Sequence, residues 1–141
     1  MHFRSLAGCG ALAAVFLASV SAYAASPNLQ CTVISSGDVI LMRARFETPK
    51  NKLRLFGAEL QAKRSFGAGR RMSVHVAGLE IGRFKMKPIV GGDVAGELAL
   101  NDAPIPGDHT KDFPPEFPPV HKGTKVDIRS DGRKVLGCAL E

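Results

Sequence analysis

The chain has no tryptophan and only one tyrosine, Tyr23, in its 141 residues. Proteins that bind sugars or single-stranded nucleic acids by stacking usually present exposed aromatic rings. True immunoglobulin domains also bury a tryptophan against their inter-sheet disulfide. The shortage of large aromatic rings therefore argues against all three classes of protein, and we expect no nucleic-acid partner.

Residues that support catalysis or metal binding are also few. His109 and Asp112 could begin a metal site, but no third and fourth ligands follow at a recognisable spacing. The glycine-rich stretch 91–96 lacks the lysine and the helix of a phosphate-binding loop, and no activated-serine motif is present. We therefore expect no catalytic residues, no metal and no cofactor. The less favoured alternative is a small hydrolase that uses Asp93 or His109.

The N-terminal segment combines one early positive charge with a long apolar run. Arg4 is followed by the uncharged stretch 5–25, and residues 22–24 read Ala-Tyr-Ala, which fits the small-x-small cleavage pattern. This pattern predicts a secretory signal peptide over residues 1–24 and one domain over residues 25–141. An uncleaved membrane anchor is the alternative. With cleavage no transmembrane segment remains, and the expected location is the periplasm or the outside of the cell.

Only two cysteines, Cys31 and Cys138, follow the signal segment. Exported proteins fold in an oxidising compartment, where an even number of cysteines favours a disulfide. The pair lacks the Cys-x-x-Cys spacing of redox-active sites. We therefore expect one structural disulfide that joins the two ends of the domain, worth up to about 4–5 kcal/mol in the chain-entropy model.

Alternation of apolar and polar residues predicts β-strands along the whole domain. We interpret the stretch 71–100 as a meander of three consecutive strands in one sheet, separated by glycine turns, with a β-bulge at Gly82 where the apolar parity changes. The stretch 52–63 also alternates, which favours a strand over a competing helical turn. Asp131-Gly132 is a strong turn dipeptide and predicts a closing hairpin.

The segment 101–123 differs from the rest because it contains six prolines. Within it, Phe113-Pro-Pro and Phe117-Pro-Pro form a doubled unit, and repeated prolines remove the backbone donors that a sheet needs. We interpret the segment as a crossover between two sheets, with both phenylalanines capping the core. The alternative is a docking peptide for a proline-recognising partner.

These patterns together predict an all-β fold. We expect a single β-sandwich of about seven or eight strands, immunoglobulin-like or with meander or Greek-key connections, held by one disulfide and preceded by the signal peptide. A small closed barrel is the second choice. Either fold would give the apolar face of each sheet a partner layer.

Positive charge is concentrated in the first half of the domain. From Arg43 to Lys87 the chain has twelve lysines and arginines against three glutamates, a balance of +9. From Pro88 to Glu141 it has six basic residues against nine acidic residues, a balance of −3. Such asymmetry is typical of a protein with an anionic partner, although a solvated sheet face with alternating basic residues would give the same pattern.

The sequence therefore predicts an exported, non-catalytic binding or structural protein of the cell envelope. Its expected partner is an anionic envelope polymer or lipid, bound by a basic face. The residues predicted for that face are Arg43, Arg45, Arg54, Arg83, Lys85 and Lys87. The alternative is an accessory subunit that docks on an envelope protein through an open sheet edge or through the Phe-Pro-Pro segment.

Overall fold

The structure is a computed structural model that describes residues 28–49, 53–104 and 106–141; the predicted signal peptide lies outside these ranges. The described residues form β-strands and one 3₁₀ turn, Arg64–Phe66. The strands are β1 (Leu29–Ile34), β2 (Val39–Glu47), β3 (Leu55–Ala62), β4 (Arg71–Val76), β5 (Leu79–Lys85), β6 (Lys87–Pro88), β7 (Val94–Asn101), β8 (Lys125–Ser130) and β9 (Arg133–Ala139).

The strands are arranged in two antiparallel sheets. The first sheet has the order β1-β2-β3-β7-β6, and the second has the order β5-β4-β8-β9. This arrangement confirms the all-β prediction. It also confirms a strand within 52–63, because β3 pairs with β2 on one side and β7 on the other.

One hydrophobic core contains residues from both sheets. Met42 and Leu60 contribute from the first sheet, and Val74, Val126 and Ile128 contribute from the second, all of them fully buried. Each of these residues alternates with a more exposed neighbour, as expected for strands with one face against a second layer. The opposite faces carry charged side chains such as Arg43 and Glu59, which pair with each other across β2 and β3.

The predicted bulge in the β4–β5 hairpin is present. Val74 lies opposite Gly82, whereas the next residue, His75, lies opposite Glu80. Ile81 is therefore the extra residue on β5, and it shifts the parity of the strand by one. As a result Ile81 and Phe84 are both buried, although they are three positions apart.

The three strands predicted over 71–100 are present as β4, β5 and β7, but the prediction that they lie in one sheet was wrong. β5 belongs to the second sheet, while β6 and β7 belong to the first. The chain changes sheet at Met86, which is buried and still exchanges backbone hydrogen bonds with Gly69 and Arg70 at the start of β4. Alternation along a strand determines which face is buried but not which strand lies beside it, and this explains the error.

The predicted disulfide joins Cys31 on β1 to Cys138 on β9, with their Cα atoms 6.0 Å apart. Next to it, the Gln30 N–H donates to the Glu141 carbonyl and the Glu141 N–H donates to the Gln30 carbonyl, both at 3.1 Å. The edge strand of the first sheet is thereby tied to the edge strand of the second. The bridge closes the domain along this side, as the sequence predicted.

The proline-rich segment crosses from β7 in the first sheet to β8 in the second. The ring of Phe117 contacts the rings of Phe46, Phe56 and Phe113 at centroid distances of 6.2, 5.7 and 4.7 Å. Both phenylalanines of the Phe-Pro-Pro units are packed against the core. The interpretation of this segment as a crossover that caps the core is therefore confirmed.

Candidate functional site

A groove of about 810 Å³ lies where β5, the edge strand of the second sheet, passes β7 of the first sheet. The two strands touch closely there, because Gly82 lies against the side chain of Leu98 and Gly96 lies under the ring of Phe84. The groove also borders β3, β6 and the proline-rich segment. Its basic lining residues are Arg71, Arg83, Lys85, Lys87 and Lys111.

Strand alternation places three of these cations on one face. Phe84 and Met86 are buried, so Arg83 and Lys85, which alternate with them, direct their side chains away from the core. Arg83 and Lys85 are exposed for this reason, and Arg71 lies directly opposite Lys85 in the β4–β5 register. The hairpin therefore presents a cluster of positive charge along its outer face.

The other two cations reach the groove through the first sheet. Lys87 lies on β6 opposite Ala95 of β7. Lys111 comes from the proline-rich segment, where its N–H donates to the carbonyl of Ala99 and its carbonyl accepts from the N–H of Asn101, both at 2.9 Å. These two backbone hydrogen bonds attach the segment to the edge of β7 and fix Lys111 beside the groove.

The groove has more positive than negative charge. Its five cations face two acidic lining residues, Glu59 and Glu97, which leaves a balance of +3. Glu59 already pairs at 3.4 Å with Arg43, which is not one of the groove's lining residues. Within the described residues, no ion pair involves any of four groove cations, which are Arg71, Lys85, Lys87 and Lys111.

Arg83 is the exception among the groove cations, because it has an acidic partner. Its Nε donates to the Glu80 carboxylate at 2.8 Å. This hydrogen bond lowers the pKa of Glu80 and raises the pKa of Arg83. Both groups therefore stay charged at neutral pH. Glu80 neutralises part of the positive charge of Arg83, whereas Lys85 has no ion pair among the described residues.

The structure brings together only three of the six basic residues predicted for one face, namely Arg83, Lys85 and Lys87. Arg43 and Arg45 lie on the outer face of β2, beside a second depression of about 780 Å³. That depression is also lined by three acidic residues, which outnumber Arg43 and Arg45 and leave a balance of −1. The three acidic residues are Glu59, Glu97 and Glu141.

Arg54 is engaged in packing rather than facing the groove. Its Nε and Nη2 each donate to the Asp102 carboxylate at 2.9 Å, and its guanidinium lies 4.2 Å from the centroid of the Phe113 ring. The hydrogen bonds from Arg54 lower the pKa of Asp102, and those to Asp102 raise the pKa of Arg54. This ion pair anchors the start of β3 to the end of β7.

Sequence reasoning missed Arg71, Lys111 and His109 as lining residues. Arg71 could have been found from the turn at Ala77-Gly78 and the bulge, since these two features place it opposite Lys85. Lys111 and His109 lie in a segment without periodicity, and nothing in the sequence indicates that it returns to the edge of β7.

A serine and a histidine lie close together on the outer face of β4. Ser73 Oγ and His75 Nε2 are 3.1 Å apart, and Asp127 lies opposite His75 on β8. However, Asp127 pairs with Arg129 and Lys134, at 3.5 and 3.4 Å, and in the described structure His75 Nδ1 has no hydrogen-bond partner. The carboxylate contact that would orient the imidazole in a catalytic triad is therefore missing.

The two residues considered for the hydrolase alternative lie in different connecting segments. His109 lines the groove, and its N–H donates to Asp108. Asp93 lies in the β6–β7 turn, where its carbonyl accepts from the Ile89 N–H. Among the described residues, no group of three or more histidines, cysteines or carboxylates is arranged to hold a metal ion.

No protein-family model, no curated protein and no solved structure matches this chain. Within the ranges that the structure describes, no helix has the length and hydropathy of a membrane span.

Proposed function

We propose that this protein is an exported, non-catalytic binding protein of the cell envelope that holds an anionic ligand in the groove between β5 and β7. The observation that carries this proposal is the set of four cations around one groove that have no ion pair with any residue that the structure describes. Like charges held close together repel one another, and a bound anion relieves this repulsion. The N-terminal signal pattern and the disulfide support an exported location.

We further propose that the two sheets form a β-sandwich in which both pairs of edges are joined. The single core between the sheets supports a sandwich. Along one side the disulfide joins β1 to β9, and along the other side the chain passes from β5 into β6. The second connection keeps β5 beside β7 along the groove.

The groove also has apolar parts, contributed by Phe84, Leu98 and Ile89. Ligand sites commonly combine an apolar lining with a few charged groups that orient the ligand. We therefore expect the ligand to present several negative charges beside an apolar portion. The cations are exposed, so the electrostatic part of the affinity should fall as salt screens it.

The test is a binding titration with inorganic polyphosphate, a soluble polyanion, at low and at physiological salt. We expect the double variant Lys85→Gln/Lys87→Gln to bind about tenfold more weakly, since it removes two exposed contacts between opposite charges that contribute about 0.7 kcal/mol each. The matched control, Arg43→Gln/Arg45→Gln, removes the same charge from the second depression and should keep the affinity within about twofold. Affinity that does not depend on salt, or an equal loss in both variants, would contradict the groove as the site.

A further inference from the structure

We infer that the anionic partner is the surface of a lipid bilayer, into which the turn between β6 and β7 inserts its apolar side chains. This inference rests on the proposed function and specifies its ligand. It starts from exposed apolar residues next to the cations, which a purely charged ligand would leave unexplained.

The turn between β6 and β7 presents two aliphatic side chains to solvent. Val90 is fully exposed and Ile89 is 39% exposed. The turn itself is well held, because the Ile89 N–H donates to the Asp93 carbonyl at 2.9 Å and the Gly92 N–H donates to the Ile89 carbonyl at 3.2 Å. Gly91 and Gly92 have φ values of 96° and 93°, which glycine adopts without strain. The apolar side chains are thus displayed on an ordered tip.

A third exposed aliphatic residue lies at the same end of the first sheet. β1 ends at Ile34, which is 81% exposed. The register runs from Ile34 through Leu41, Gln61 and Ala95 to Lys87, so these residues form one row across the outer face. With about 4.8 Å between strands, Ile34 and Lys87 lie about 19 Å apart. Exposed apolar residues therefore lie at both sides of this end of the sheet, with Ile34 on the edge strand β1 and with Ile89 and Val90 directly after β6.

Exposed cations surround this end of the sheet. Lys85 and Lys87 come just before the apolar turn, and Lys63 and Arg64 follow the end of β3. Aliphatic side chains beside lysine and arginine are the combination that binds the interface of an anionic bilayer. The aliphatic groups enter the boundary between headgroups and acyl chains, while the cations lie at the level of the lipid phosphates. A hydrated polymer would gain nothing from Val90, and this difference favours the bilayer.

The first experiment uses the absence of tryptophan from the chain. In the variant Val90→Trp the introduced indole is the only one, so its fluorescence reports the surroundings of the turn alone. We expect its emission to shift to shorter wavelength on addition of vesicles of phosphatidylglycerol and phosphatidylcholine in equal parts, and to stay unchanged with phosphatidylcholine alone. The control is Leu79→Trp. Leu79 is 40% exposed, less than the fully exposed Val90. It lies at the start of β5, away from the β6–β7 turn, because β5 runs opposite to β7: Gly82 lies against Leu98, and Phe84 lies against Gly96.

The second experiment measures vesicle affinity by co-sedimentation. Val90→Ser should bind the anionic vesicles about fivefold more weakly, because it removes apolar contact with the acyl boundary. Lys85→Gln/Lys87→Gln should bind at least tenfold more weakly. Lys122→Gln/Lys125→Gln is the matched control. These two lysines lie on either side of Thr124, whose carbonyl accepts a hydrogen bond from the Leu140 N–H. The next residue, Glu141, exchanges backbone hydrogen bonds with Gln30 near the start of β1. The control lysines therefore lie at the opposite end of β1 from Ile34.

The outcomes separate this inference from the proposed function. If polyphosphate binding depends on Lys85 and Lys87 while the indole at position 90 shows no shift and Val90→Ser keeps full vesicle affinity, the bilayer is not the partner and the anion-binding groove stands. If neither polyphosphate nor anionic vesicles bind, both proposals fall. If the Lys122/Lys125 control loses as much vesicle affinity as the Lys85/Lys87 variant, attraction is due to net charge and the bilayer site is refuted.

Discussion

Gly96 on β7 lies directly under the ring of Phe84 on β5, with no space between them for a side chain. A Cβ built at Gly96 would lie 2.8 Å from the Lys85 carbonyl oxygen and closer still to the Phe84 ring. This contact is where the edge strand of one sheet meets the other sheet, and it sets the depth of the groove. Gly96→Ala should therefore push the two strands apart.

We expect Gly96→Ala to lower the free energy of unfolding by about 1–3 kcal/mol, the usual cost of overpacking a tight contact. Urea unfolding followed by circular dichroism measures the change. Gly57→Ala is the control, because a Cβ at Gly57 has no neighbour within 4 Å and its backbone is not left-handed. That variant should be neutral or slightly more stable. Equal destabilisation by both substitutions would show that the Phe84 contact is not the cause.

The Cys31–Cys138 bridge spans 107 residues, so its removal should strongly favour the unfolded chain. The double variant Cys31→Ala/Cys138→Ala should lose about 3–5 kcal/mol of unfolding free energy. Treating the unsubstituted protein with a strong reductant should lower its stability by a similar amount, whereas the variant should not respond to reductant. A loss below about 1 kcal/mol would mean that the Gln30–Glu141 hydrogen bonds already hold the two edges together.

Asp102 should contribute a pH-dependent part of the stability. Its pKa in the folded protein lies below the ordinary value of 3.8, first because Arg54 donates side-chain hydrogen bonds to it. A lowered folded-state pKa means that the stabilisation is fully present above the ordinary pKa and is lost as pH falls through the folded-state pKa.

Asp102→Asn should therefore lower the free energy of unfolding at pH 7 by about 1–2 kcal/mol, a typical value for partly exposed hydrogen bonds between charged groups. The difference from the unsubstituted protein should shrink as pH falls below about 4. Thermal unfolding at several pH values measures both effects. A difference that stays constant down to pH 2 would mean that the charge of Asp102 is not responsible.

Ala77 occupies a position that suits asparagine better. In the two-residue turn between β4 and β5, Ala77 has a φ of 49° and Gly78 has a φ of 82°. Left-handed backbone is costly for alanine, whereas Asn-Gly is a preferred pair in such hairpin turns. Ala77→Asn should raise the free energy of unfolding by about 0.5–1 kcal/mol, and Ala77→Val should lower it. Stability measurements that rank the two variants in the opposite order would contradict this interpretation of the turn.

Much of the local structure follows from the sequence alone. Alternation is enough to predict the strand within 52–63 that the structure contains as β3, because side chains on a strand point to opposite sides in turn. The parity change at Gly82 predicts the bulge, and Asp131-Gly132 predicts the last hairpin, since both depend on a few neighbouring residues. The two cysteines predict their own pairing, because no other cysteine lies outside the predicted signal segment.

Only the tertiary structure decided which strands are neighbours and where the cations meet. The sequence assigns β5 and β7 to one meander, but the chain changes sheet at Met86 and leaves them in different sheets. Arg54 looks like part of a basic face, yet Asp102, 48 residues away, takes its charge into an ion pair. Lys111 reaches the groove through backbone hydrogen bonds from a segment without periodicity. Periodicity determines the face of a residue, whereas its neighbours across a groove depend on contacts between residues far apart in the chain.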